Sequence, residues 1–74
     1  MAVVREFQLK DLDRVSTHSE VNATISLVES DGEKFVQIDT YGSKDRAMPN
    51  KISQSVRLTK AAFDQLSQFA AKHF

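Results

Sequence analysis

The side chains best suited to chemistry in this chain are five cations gathered around one polar stretch. Tyr41 closes an alternating run, Lys44, Arg46 and Lys51 lie in the loop that follows, and Arg57 and Lys60 come after it in the next strand and at the helix start. Lysine and arginine, with Ser43 beside them, can hold phosphate oxygens through charge-assisted hydrogen bonds. Tyr41 and Phe35 offer rings on which unpaired bases could stack. These residue types in this order point to an electronegative ligand, with single-stranded nucleic acid the foremost candidate. The alternative is an ordinary polar surface loop in which Asp45 partners Lys44 or Arg46.

Other groupings are incomplete. His18, Ser19 and Glu20 are adjacent, so on entering a strand they point to alternate sides and cannot form a relay. Asp11 and Asp13 place two carboxylates in one segment without the further oxygen ligands that a hard cation requires. His73 falls on an apolar helical arc near the end of the chain. Cysteine is absent, which removes disulfides and thiolate zinc sites together, and two histidines do not make a histidine-rich metal site. No catalytic, metal or cofactor motif is present, and the expectation is a non-enzymatic protein without cofactor.

Two alternating runs meet at Asp31-Gly32, a pair that favours a two-residue hairpin turn because glycine supplies positive φ and aspartate tolerates it. In the run Glu20–Glu29, Val21, Ala23, Ile25 and Leu27 are apolar and Asn22, Thr24 and Ser26 polar, the pattern of a half-buried strand. The turn sets the register: Glu29 faces Lys34, Leu27 faces Val36, Ile25 faces Ile38 and Ala23 faces Thr40. Ile52 to Leu58 repeats the alternation, and Val3 to Leu9 reads as a first strand. Asp11–Ser19 has no period and reads as loop.

Thr59 is a suitable N-cap for a helix from about Lys60. At about 100° per residue, Phe63, Leu66, Phe69, Ala70 and His73 share one apolar arc, which marks Leu66 for burial and Gln68 for solvent. The expected fold is α+β: a small curved antiparallel sheet in the order β-β-β-β-α, with the one C-terminal helix packed on the face of Val36 and Ile38. Phe35, Gln37, Asp39 and Tyr41 then lie on the other face, where they could stack on bases or pack in a homodimer.

With 74 residues the chain forms one domain, residues 1–74, close to the size at which a core alone stops sufficing. Without disulfides or metal, self-association becomes an attractive source of stability. The net charge of zero is unevenly spread: residues 1–41 hold four basic and eight acidic residues, residues 42–74 six and two. That split either builds a basic face or neutralises itself in the fold. Met1 to Leu9 includes Arg5 and Glu6 and no apolar run like that of a signal peptide, and nothing approaches the roughly 20 apolar residues of a membrane span. A cytoplasmic protein with no membrane partner is expected.

The stretch Val36-Gln37-Ile38-Asp39-Thr40-Tyr41, then Met48-Pro49-Asn50-Lys51, then Ser55-Val56-Arg57-Leu58 and Phe63-Asp64-Gln65-Leu66 resembles the C-terminal domain of the positive cofactor four family of single-stranded-DNA-binding transcriptional coactivators. The resemblance covers about half of the chain and implies dimerisation and binding of single-stranded nucleic acid. Through Tyr41-Gly42-Ser43-Lys44-Asp45-Arg46 and Ser53-Gln54-Ser55, the whole chain also resembles a group of short bacterial proteins that sometimes carry the name methionyl-tRNA formyltransferase. That name implies an enzyme, although 74 residues cannot house a formyl-folate pocket and a tRNA platform together. Three readings follow: a nucleic-acid-binding protein, a dimeric protein-interaction module without nucleic acid, and a formyltransferase-like protein.

Overall fold

Asp31 and Gly32 organise the longest pairing in the molecule. Both have positive φ, 53° and 77°, as a primed two-residue turn requires. The computed structural model describes residues 1–42 and 51–74. On either side of the turn run β2, Ala23–Ser30, and β3, Glu33–Tyr41, numbered after a short first strand β1, Ala2–Val4. Their antiparallel register is the expected one, with Leu27 opposite Val36, Ile25 opposite Ile38 and Glu29 opposite Lys34. β2 begins at Ala23, not Glu20, because β3 ends at Tyr41, whose N–H makes the last cross-strand bond to the Asn22 carbonyl (3.0 Å).

β4, Ile52–Leu58, pairs antiparallel with β3, and a one-residue irregularity separates Thr40↔Gln54 from Tyr41↔Ile52. β1 lies along the other edge of β4 and is parallel to it, so the sheet order is β1-β4-β3-β2 and the sheet is mixed, not wholly antiparallel. The expected first strand, Val3 to Leu9, is cut short for a geometric reason. Val4 is opposite Leu58, and β4 stops there, leaving no ladder for Arg5 onwards. Phe7 is held differently: its N–H donates to Gln65 Oε1 (2.8 Å), and Gln65 Nε2 donates weakly to its carbonyl (3.4 Å).

The α+β order of four strands and one C-terminal helix is as the patterning indicates. α1, Lys60–His73, begins at Thr59, whose hydroxyl accepts the Ala62 N–H (3.2 Å) while its own N–H donates to the Val4 carbonyl (3.2 Å). This one residue therefore ties β1 to the helix start. Lys72 and His73 occupy the last turn, where positive charge complements the helix dipole.

α1 packs against β3 and β4. Among the described residues the buried apolar side chains are Leu58 (3% exposed) and Ala62 (0%). The inner-face residues of β2 are left open, Ile25 at 69% and Leu27 at 85% exposure. Leu66, marked for burial by the helical arc, is also exposed, because the helix covers only part of the sheet. The molecule is a slab 38 × 37 × 18 Å, one sheet and one helix thick.

Candidate functional site

Strand alternation puts Phe35, Gln37, Asp39 and Tyr41 of β3 on one face with Thr24 and Ser26 of β2 and Arg57 of β4. The register sets Gln37 directly opposite Arg57. Arg57 Nε donates to Gln37 Oε1 (2.7 Å), and the guanidinium lies over the Phe35 ring, 5.9 Å from its centre. The Gln37 amide points the other way, with Nε2 donating to both oxygens of Asp39 at 3.1 Å. Asp39 is only 5% exposed. The amide thus stands between cation and carboxylate, satisfying the buried anion while the terminal nitrogens of Arg57 remain without a hydrogen-bond partner among the described residues.

Tyr41 sits six residues along β3 from Phe35, roughly 20 Å at the rise of an extended strand. Its hydroxyl shares a hydrogen bond with Thr24 Oγ1 (3.0 Å), which holds the ring at the rim of this face. Ser55, opposite Asp39 in the register, has a buried Oγ with no partner among the described residues.

The cations picked from the sequence are not all brought together. Lys51 is exposed just before β4, next to Tyr41's partner Ile52. Arg57 and Lys60 belong to the far end of β4, roughly 20 Å from Lys51 by strand rise. Lys60 is paired with Asp64 one helical turn on (2.9 Å), both largely exposed. Lys44 and Arg46 lie outside the described residues, as does Pro49. The uneven charge does not separate into two halves of the molecule, because β4, from the basic part, is inserted between β1 and β3 from the acidic part.

Local pattern could not reveal the Arg57–Gln37–Asp39 chain, since it depends on which residue of β4 faces Gln37. Nor could it reveal Gln65, which lies off the apolar arc yet is half-buried and holds the backbone of Phe7, 58 positions away. Arg5 and Glu33 are similarly remote and form a two-pronged ion pair (3.0 and 3.1 Å). Those hydrogen bonds, with desolvation acting the other way and the Arg5 charge assisting, hold the Glu33 carboxyl below its ordinary value.

Among the described residues no group of three or more histidine, cysteine, aspartate or glutamate side chains could hold a metal ion, and no helix is long and apolar enough to cross a membrane. Comparison with family models, curated proteins and solved structures finds no match for this chain.

Proposed function

We propose that this is a non-enzymatic module that binds single-stranded nucleic acid on the face of Phe35, Gln37, Tyr41 and Arg57. The supporting observation is the Arg57 guanidinium laid over Phe35 and steered by Gln37, beside a β3 strand that carries a second ring at Tyr41. Half-buried rings on a sheet offer every base a stacking surface, and a positioned arginine adds both stacking and charge. Asp39, the obvious obstacle to a phosphate track, is buried, and its carboxylate accepts hydrogen bonds from the Gln37 amide. Lys51, with Lys44 and Arg46 preceding it in sequence, would supply the ionic contacts at the Tyr41 end, and Lys60 those near Arg57.

The test is anisotropy of a labelled single-stranded oligonucleotide titrated with the protein at two salt concentrations. The logarithm of affinity should fall with the logarithm of salt at about −0.7 per phosphate contact. Lys44→Ala with Arg46→Ala should lower both affinity and slope. Tyr41→Ala should lower affinity with little change in slope, because stacking is not ionic. Negligible binding at low salt overturns the proposal and leaves the protein-interaction reading.

A further inference from the structure

The Arg57 guanidinium is held more firmly than a simple contact with phosphate requires. A glutamine amide can lie either way round, so the group that fixes Gln37 decides what Arg57 meets. A carboxylate only accepts, and both Asp39 oxygens take hydrogen bonds from Gln37 Nε2 (3.1 Å each). The amide oxygen is thereby turned to Arg57, where it accepts from Nε (2.7 Å). Asp39 is buried, so the anchor of this chain of bonds is itself fixed in the fold. Phe35 completes the arrangement, with the guanidinium carbon 5.9 Å from its ring centre.

With Nε engaged, the edge of the guanidinium left whole bears the two terminal nitrogens. Neither has a hydrogen-bond or ion-pair partner among the described residues. That edge is a planar fork of parallel N–H donors, the complement of two adjacent acceptors in one plane. Building on the nucleic-acid reading above, we infer that Arg57 selects the base bound on this face. It takes a base that presents two adjacent acceptors, the O6/N7 edge of guanine or the O2/N3 edge of cytosine. Gln37 and Asp39 are positioning residues that hold the fork in place.

Two observations favour a base edge over a phosphate at this fork. The first is place. Arg57 and Gln37 are on β4 and β3, the two central strands of the sheet, and Phe35 is on β3 as well. Nucleotides stacked on the rings of this face set their bases over those strands. The exposed lysines, Lys51 and Lys60, stand just before and just after β4, where the sugar–phosphate chain can reach them.

The second is constraint. A phosphate accepts from many directions, and a mobile lysine serves it as a point charge. A fork whose direction is fixed from two residues away discriminates instead between base edges. Adenine sets a donor beside its acceptor, and thymine sets a donor between its two, so neither matches a pair of donors.

The experiment is fluorescence anisotropy with short oligothymidines carrying one guanine, cytosine, adenine or 7-deazaguanine, with circular dichroism to verify the fold of each variant. The guanine or the cytosine strand should bind about tenfold tighter than the adenine strand or oligothymidine itself, the discrimination of one bidentate contact. If guanine is the base read, 7-deazaguanine, which lacks N7, should fall to the adenine level. A preference confined to cytosine assigns the O2/N3 edge. Arg57→Lys keeps the charge and removes the fork, so it should abolish the preference and leave the salt slope unchanged. Asp39→Asn lets the Gln37 amide turn over and should shrink the preference, whereas a merely structural role would lower every affinity alike. Arg57→Lys, at a half-buried site, carries the test alone should Asp39→Asn fail to fold.

Equal affinity for all the strands overturns the inference and leaves the nucleic-acid reading standing. No binding to any strand at low salt overturns both. A guanine preference that survives 7-deazaguanine, or any preference that survives Arg57→Lys or a folded Asp39→Asn chain, also overturns the inference.

Discussion

The junction of β4 with α1 and the outer strand β2 are built from similar sequence and meet opposite fates. At the junction Leu58, Thr59 and Ala62 are closed off from water, with the Thr59 backbone and hydroxyl joining β1 to the first helical turn. β2 has an equally regular alternation, yet Ile25 and Leu27 stay open. Alternation therefore specifies a face and not its burial. Burial needs a second layer, and α1 supplies one over β4 and β3. The stability of a single chain should be concentrated at the junction, and β2 should contribute chiefly when something covers it.

The sharpest way to break this contrast is a pair of leucine truncations in dilute solution. Leu58→Ala should cost about 2–5 kcal/mol, the range for a buried leucine. Leu27→Ala should cost a small fraction of that in the single chain. Equal losses in denaturant titrations would show that β2 is covered even in the single chain. Gly32→Ala comes next. No atom lies within 4 Å of the added methyl, so the cost is purely that of positive φ, roughly 1–2 kcal/mol. Hydrogen exchange should show that loss concentrated in the β2–β3 pairing, and an equal loss of protection in α1 would mean that hairpin and junction unfold as one unit.

Thr59→Ala tests the closed region from its polar side. Losing the acceptor for the Ala62 N–H should destabilise the chain by about 1 kcal/mol. Serine should recover most of it, which a purely steric role for threonine would not allow. The smallest effect belongs to Arg5–Glu33, which is exposed and joins the segment after β1 to the hairpin. The folded carboxyl is held below its unfolded value, so its contribution is present at neutral pH and fades as acidification passes through the lowered folded range. A nuclear magnetic resonance titration should find Glu33 ionising below the usual carboxylate range, and Arg5→Ala should return it there. No change on that substitution would show the pair to be inconsequential in solution.

Much of this architecture can be read from local pattern. Asp31-Gly32 sets the hairpin register because both residues accept positive φ and each flanking run has period two. Ile52–Leu58 and the Thr59 cap are local in the same sense: the alternation and the capping oxygen act within a few residues. The candidate nucleic-acid face was legible only in part. Phe35, Gln37, Asp39 and Tyr41 share a side by alternation, but the sequence does not say that Gln37 separates Arg57 from Asp39.

What tertiary structure alone decided is each relation between residues far apart in the chain. Val3 to Leu9 has the composition of a longer strand, yet β1 lies parallel to β4 and stops at Val4, opposite Leu58, where β4 ends. Lys51 and Arg57 are near in sequence, yet an extended strand holds them apart. Gln65 lies off the apolar arc of the helix, and only the fold brings Phe7 to it. Leu66 and Leu27 have the side chains of a core, and the placement of one short helix left both in water. Pattern and turn chemistry act over a few residues, so sequence determines faces and registers. Burial depends on which layer arrives over which face, and that is decided only when the whole chain has folded.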